Sequence, residues 1–455
     1  MTEELVRPVS EVRFHVAIIG AGPAGLYGAN SLVEHGARVV ILNHDIKPGG
    51  LAEYGIYYDK YSIKEGLRKQ FRKILASPDI TYYGNVHVGE DGDVTLAELQ
   101  QMGFAAIMVA VGAQGTKWLG LPGEELRGVY HSKPLMYHYN DLPPFSEQEF
   151  AIGKRVAVIG VGNTMADIAH WLARDVQVDE IIGVARRGPA EVKFTRQEME
   201  YIARNFDLEA LHEEIARVAD RVRAVGQDPD EAKHFLLSAL SRRALEPVSE
   251  TRIRFRFLSS PRRVLGNVDG GVAGLEVDDT ELILQDNGET RARRLDTSHV
   301  LDVDTVIFCI GDKVSDRFGL PVQWNEFVKH QTPRYPVDGE SYEVYDPETG
   351  ETVESVFVAG WARKASKGQV GLARKDAYNC TQAIMQYVAD QPAMETGAAE
   401  KLAARLAQLD KPLVRKDDWQ RLEAIERQKA AELGVELFKF KSNAEMLAAM
   451  GFSHA

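Results

Sequence analysis

The stretch Phe14-His15-Val16-Ala17-Ile18-Ile19-Gly20-Ala21-Gly22-Pro23-Ala24-Gly25 decides how this chain folds. An apolar run from Phe14 to Ile19 leads straight into three glycines spaced G-x-G-x-x-G. A helix-like stretch then ends near Glu34, His35 and Gly36, and a second apolar run, Val39 to Leu42, follows. Strand, tight turn, helix and strand within about 30 residues is the βαβ unit, whose crossover helix packs on a parallel sheet. Each glycine has a separate task. Gly20 allows the tight turn, Gly22 lets a pyrophosphate reach the backbone, and Gly25 lets helix and strand close together. A strand before the motif and a helix after it imply dinucleotide binding, with FAD and NAD left open. The acid expected at the end of the second strand is replaced by Asn43, with His44 and Asp45 beside it. Asn43 can accept a ribose hydroxyl bond, less strongly than a carboxylate would.

The pattern recurs at Arg155 to Ile159, Gly160 to Gly162, Asn163 to Leu172 and Ile181 to Ala185, implying a second nucleotide-binding domain. Here the third small residue of the fingerprint has become Met165. Arg186-Arg187-Gly188-Pro189 follows the second strand and places two guanidinium groups beside the adenosine ribose. Charge-assisted bonds of about 1.5–3 kcal/mol each to a 2′-phosphate would favour NADP over NAD. A solvated arginine pair is the alternative. The third constellation is Gly360-Trp361 with Arg363, Lys364, Lys367, Gly368, Gln369, Val370 and Gly371, opening a helix through Ala383. Such a helix N-terminus suits an anionic flavin edge and Trp361 could pack beside it, but a strand-end Trp taken alone is more often a core or interface residue.

Three apolar runs end at glycine, namely Ala106 to Gly112, Val306 to Gly311 and Val356 to Gly360, and read as buried parallel strands. Asp141 to Glu149 reads as a linker, Leu208 to Leu245 as a charged helical insertion, and Arg252 to Leu284 as alternating strand. The tail from Ala398 reads as helical, charged and peripheral. At 455 residues the chain is too long for one core. Its 44% hydrophobic and 27% charged composition is globular, and its net charge of −13 disfavours nucleic acid and anionic membrane surfaces. No run approaches a spanning helix, so a soluble, cytoplasmic protein is expected. Cys309 and Cys380 stand apart, without a C-x-x-C pair, and no metal-ligand spacing occurs.

Taken together, Ile18 to Gly25, Gly50-Leu51 with Tyr54-Gly55, Gly84-Asn85-Val86, Leu121-Pro122-Gly123-Glu124, Arg186-Arg187-Gly188-Pro189, Phe194-Thr195 with Glu198, Gly360-Trp361, Gly368 to Gly371 and Lys375-Asp376-Ala377 carry a resemblance. The chain resembles the adrenodoxin reductase and FprA-like NADPH–ferredoxin reductases over nearly its whole length. The resemblance implies an α/β fold of two Rossmann-like domains, the NADP domain inserted in the FAD domain. The boundaries it suggests are 12–113 and 319–455 for FAD and 114–318 for NADP. FAD would be held by Gly20, Gly22, Pro23, Gly25, Asn43, Leu51, Val86, Trp361, Gly368, Gln369 and Val370. NADP would be held by Gly160, Gly162, Asn163, Thr164, Arg186, Arg187 and Glu198. The implied activity is electron transfer between NADPH and ferredoxin or a similar acidic one-electron carrier, with no catalytic side chain assigned. Flavin is needed because it takes two electrons as hydride and releases them singly. The alternative is an NADP-linked flavoprotein subunit of a larger oxidoreductase complex. Arg242, Arg243, Arg363, Lys364, Lys367, Arg374 and Lys375 are the candidate cations for an acidic carrier. The chain departs from the family at Asn43 and Met165, at Tyr58-Asp59-Lys60-Tyr61, where Pro-Asp-His-Pro is usual, and at Tyr201, where a glutamate is common. Lys60 is read either as a cation at the flavin edge or as a solvated lysine.

Overall fold

The computed structural model describes residues 14–365, 368–391 and 397–452. Two compact units emerge. The first comprises 1–115, 140–146 and 311–455, and the second 116–139 and 147–310. The expected boundaries differ from these at two places. The chain returns to the first unit at Gly311, directly after the strand Thr305–Phe308, and the segment Asn140–Ser146 belongs to the first unit. That early return has a physical cause, since Asn140 takes bonds from two buried lysines of the first unit, Lys64 and Lys439.

In the first unit a six-stranded sheet runs in the order Glu343–Asp346, Glu351–Val358, Ala106–Val109, His15–Ile19, Arg38–Leu42, Ile80–Tyr83. All neighbours are parallel except the first pair. The strands are apolar on both faces. Val16, Ile18, Val39, Ile41 and Met108 join one core, and Ala17, Ile19, Val40, Leu42 and Val109 join the other. Helices therefore cover both sides, which is why these strands read as continuous apolar runs. The sheet order turns at His15–Ile19 and Ala106–Val109, and ligands of such folds lie beyond the strand ends at that point.

The second unit has a five-stranded parallel sheet ordered Val129–His131, Thr305–Phe308, Arg155–Ile159, Glu180–Val184, Arg252–Arg256. An antiparallel sheet of Ser259–Gly266, Val272–Leu284 and Thr290–Leu301 lies in the same unit. The helix after the second glycine turn is α-helical over Asn163–Trp171 and closes in a π-turn, Leu172–Val176.

The tail is not peripheral. Leu402 and Leu406 belong to one core of the first unit, and Trp419, Leu422, Met446, Leu447 and Met450 to the other. Charge made the tail look external, yet three of its charges, Glu423, Glu426 and Lys439, are buried and paired. Glu53 is the hub. Its carboxylate takes two 2.7 Å bonds from Arg68 and lies 2.9 Å from Lys439 and 3.8 Å from Lys47, which reaches Glu426 at 2.5 Å. Burial would raise the Glu53 carboxyl, but Lys439, Lys47 and Arg68 overcome it and hold the group well below the usual carboxylate range. Burial, with Lys439 nearby, pushes the Lys64 ammonium well down, and its Nζ donates to Ile56 O and Asn140 Oδ1.

Removing one member of a buried ion cluster leaves the others unpaired, at a cost of about 3–5 kcal/mol. Glu53→Gln is therefore expected to lose about that much in urea denaturation at pH 7. Because the folded carboxyl titrates below its unfolded value of about 4.3, the contribution is complete above that pH and fades as pH falls further. The gap between wild type and variant should be level from pH 8 to 5 and shrink below about 4.3. A gap under about 1 kcal/mol at pH 7 would refute the hub.

Candidate functional site

Each unit carries its own glycine turn, and the two are built alike. Gly20 has φ +103° and its N–H donates to Leu42 O at 2.7 Å; Gly160 has φ +111° and donates to Val184 O at 2.9 Å. A Cβ on Gly20 would stand 2.6 Å from Ala110 O, and one on Gly160 2.5 Å from Cys309 O. Both positions thus need glycine twice over, for the left-handed backbone and for a neighbouring strand end that leaves no room. Gly22 and Gly162 are extended instead, at φ −76° and −114°, and each caps the following helix. Their need is space. Within 4 Å a Cβ on Gly22 would meet only Gly50 Cα, and one on Gly162 only Lys193 Cβ. This open floor of backbone at a helix N-terminus, with Pro23 at the first helical positions, suits the close approach of a pyrophosphate.

The third fingerprint position differs between the units for a packing reason. A Cβ on Gly25 would overlap the Gly20 carbonyl oxygen. In the second unit Met165 is fully buried there, and the strand has yielded: a Cβ on Gly183 would come 2.9 Å from Met165 Cε. The small residue has moved from helix to strand.

Asn43 is buried and faces the turn rather than presenting an acid outward. Its Oδ1 accepts from Ala21 N–H at 2.9 Å, while Nδ2 donates to Asp45 O at 2.8 Å and Lys47 O at 3.1 Å. Two carbonyls on one side and an N–H on the other fix the amide orientation. A carboxylate could not donate to those carbonyls, so asparagine answers a need that an acid cannot meet. The loop held this way ends at Gly49 and Gly50, φ +122° and +51°, where Gly49 N–H donates to Ala21 O before the helix Leu51–Tyr54 begins. Val86 is buried, and its N–H donates to Asn43 O at 2.9 Å. Gly22, Pro23, Asn43, Leu51 and Val86 are thus gathered at one crevice.

The C-terminal third joins that crevice through glycine as well. Gly360, at φ +65°, would bring a Cβ within 2.7 Å of Ala24 Cβ. Its N–H donates to Asp376 Oδ2 at 2.6 Å, and Asp376 also binds Arg363, which lies over the Tyr342 ring at 4.3 Å. Trp361 is half-buried and donates from Nε1 to Gly368 O at 3.2 Å, tying the turn to the segment Gly368, Gln369 and Val370 that opens the helix Val370–Ala389. Asp376 and Glu53 organise the crevice from behind. Glu53 carries no local sequence signal, since its partners Lys439 and Lys47 are brought to it by the fold, whereas Asp376 stands within the segment Lys375-Asp376-Ala377 of the resemblance.

In the second unit Asn163 and Thr164 open the helix after Gly162, and Asn163 Oδ1 accepts from Thr195 N–H at 2.9 Å. Thr195 caps Arg196–Met199, which carries Glu198. The arginines are unequal. Arg187 meets Glu191 at 3.3 Å, whereas the exposed Arg186 guanidinium has no hydrogen-bond or ion-pair partner among the described residues. Lys60 is buried rather than solvated. Tyr201 faces the His170 ring, with centroids 5.4 Å apart. Of the expected docking cations, Arg242, Arg243, Arg374 and Lys375 are exposed, Arg363 is buried in its ion pair, and Lys364 is bonded to Glu340. Lys367 lies outside the described residues. Cys309 and Cys380 are both buried. Among the described residues no helix is long and apolar enough to cross a membrane, and no cluster of three or more His, Cys, Asp or Glu could hold a metal.

A profile of the pyridine nucleotide-disulphide oxidoreductase family matches residues 14–360. The NADPH-ferredoxin reductase FprA of Mycobacterium leprae is 28% identical, covering 95% of this chain and 97% of that protein. The mitochondrial NADPH:adrenodoxin oxidoreductase of Salvelinus fontinalis is 27% identical, covering 95% and 90%. Among solved structures, Mycobacterium tuberculosis FprA in complex with NADPH superposes with a TM-score of 0.79 at 25% identity, covering 96% of this chain and 100% of that one.

Restoring the common acid is expected to harm this site. Asn43→Asp leaves the carbonyls of Asp45 and Lys47 without a donor, so stability should fall by about 1–3 kcal/mol. Bound flavin should be released more readily, as read by its fluorescence on dilution. Tighter flavin retention in Asn43→Asp would show that Asn43 serves the ligand and not the loop.

Proposed function

The chain belongs to the pyridine nucleotide-disulphide oxidoreductase family, and from that membership we propose that it is an FAD-dependent oxidoreductase moving electrons between NADPH and a ferredoxin-type one-electron carrier. The observation that supports this most is the duplicated turn. Two units offer the same open glycine floor, and among the described residues only the second adds, at the end of the next strand, an arginine whose guanidinium has no partner, Arg186. That difference supports one dinucleotide in each unit, with the 2′-phosphorylated one in the second.

In the first unit Gly20, Gly22, Pro23 and Gly25 would hold the FAD pyrophosphate. Asn43 would keep their loop in place, with Leu51 and Val86 along the crevice and Trp361, Gly368, Gln369 and Val370 beside the flavin. In the second unit Gly160, Gly162, Asn163 and Thr164 would hold the NADP pyrophosphate. Arg186 would take the 2′-phosphate, assisted by Arg187, and Glu198 would lie along the nucleotide. Bound FAD would supply the conversion of a two-electron hydride donor into one-electron steps. The chain's own work is binding and alignment, and no side-chain acid or base is needed for hydride transfer. The cysteines do not contribute a thiol pair, since no C-x-x-C occurs and both are buried. The exposed cations available to an acidic carrier are Arg374 and Lys375 on the first unit or, taken separately, Arg242 and Arg243 on the second, and a net charge of −13 makes any such attraction local rather than global. The reading as a subunit of a larger complex draws on no observation of the structure.

Two outcomes test this. Anaerobic stopped-flow mixing with NADPH should bleach the flavin absorbance, and ferredoxin added next should restore it. No bleaching by NADPH would overturn the proposal, and bleaching without reoxidation would remove ferredoxin as the acceptor. Arg186→Ala should lower the NADPH over NADH preference in kcat/KM by about 10- to 100-fold, the worth of one charge-assisted phosphate contact, and Arg187→Ala should lower it less. An unchanged preference in Arg186→Ala would take that residue out of the site.

A further inference from the structure

The second glycine turn has a cover that the assignments above leave unused. The loop after Pro189 is pinned across the turn on both sides. Lys193 N–H donates to Val161 O at 2.8 Å, Val161 being the middle residue of Gly160-Val161-Gly162. Thr195 N–H donates to Asn163 Oδ1 at 2.9 Å, at the first residue of the helix. Above Gly162, the residue that must admit a ligand to the backbone, the only atom within 4 Å of a would-be Cβ is Lys193 Cβ, at 4.0 Å. Lys193 is exposed, and its ammonium has no partner among the described residues. The cations flanking it in this loop are engaged, Arg187 with Glu191 at 3.3 Å and Arg196 with Glu200 at 3.4 Å, which leaves Arg186 at the strand end as the other free cation of this stretch among the described residues. The backbone and Cβ of a lysine with a spare ammonium are thus anchored beside the floor where a pyrophosphate would lie, within a side chain's reach of it.

We infer that Lys193 binds the pyrophosphate of the nicotinamide nucleotide, setting affinity for NADPH and NADH alike, while Arg186 sets the choice between them. The inference rests on the reading of the second unit as the nicotinamide nucleotide site. A compact ammonium with three rotatable donors suits non-bridging oxygens, whereas the planar fork of an arginine suits a terminal phosphate. The division of labour also follows from placement. Lys193 is tied to the turn after Arg155–Ile159, and Arg186 stands at the end of the next strand, Glu180–Val184.

The test separates the two phosphates with two probes. ADP carries a pyrophosphate and no 2′-phosphate, and adenosine 2′-monophosphate carries the reverse. Each, with NADP⁺, is titrated calorimetrically into the full-length FAD-loaded protein. Lys193→Ala should weaken ADP and NADP⁺ by about 5- to 30-fold, leave adenosine 2′-monophosphate unchanged, and be largely rescued in Lys193→Arg. Arg186→Ala should do the opposite, weakening adenosine 2′-monophosphate and sparing ADP. Unchanged ADP binding in Lys193→Ala would overturn the inference, as would an equal loss for both probes, which would mark a diffuse charge effect. If the wild-type protein binds none of the three, the reading of the second unit fails and the inference with it. Binding of all three with no effect of Lys193 removes the inference alone.

Discussion

Everything about the two binding crevices depends on one steric constraint. A glycine in left-handed backbone is pressed against the carbonyl at the end of a neighbouring parallel strand. At Gly20 that carbonyl belongs to Ala110, and at Gly160 to Cys309. The contact lets the chain leave the sheet and enter the helix in one step, so the helix N-terminus opens onto the crevice with its amides uncovered. Any side chain at these positions would push the turn off the strand end and carry the helix with it. Because the constraint is steric, it appears twice with nearly the same geometry, although the residues around the two turns differ.

Around this turn the first unit is stabilised by polar groups that are fully used. Asn43 joins Ala21 of the turn to Asp45 and Lys47 of the next loop. Glu53, just beyond Gly49 and Gly50, gathers Arg68, Lys47 and Lys439. Asp376 joins Gly360 to Arg363. Asn43 and Asp376 hold backbone of the turns, whereas Glu53 holds the side-chain cations Arg68, Lys47 and Lys439. Buried charges of this kind are costly unless paired, and here the pairing joins the tail to the loop that follows the glycine turn. The first unit therefore depends for its stability on residues of the tail.

The departures from the common pattern have local explanations of the same sort. Met165 is tolerated because Gly183 opposite it has no side chain. Asparagine at 43 is required because two carbonyls need a donor there. The unequal surroundings of Arg186 and Arg187 arise because Glu191 holds only the second.

The glycine turns, the parallel strands, the duplicated plan and the arginine pair were legible in the sequence, because each is imposed by chemistry within a few residues of chain. A left-handed turn needs glycine, a strand covered on both faces needs an unbroken apolar run, and a phosphate needs cations at a strand end. The role of Asn43, the burial of Arg363 and Lys60, the position of Lys193 over Gly162 and the place of the tail in the core were decided by the tertiary structure. Charge density had marked the tail as solvent-facing, but a charged side chain reads the same whether it meets water or a buried partner. Lys47 with Glu426 and Glu53 with Lys439 join residues several hundred positions apart. Such pairs leave no periodicity and no spacing in the chain, and only folding brings them within bonding distance.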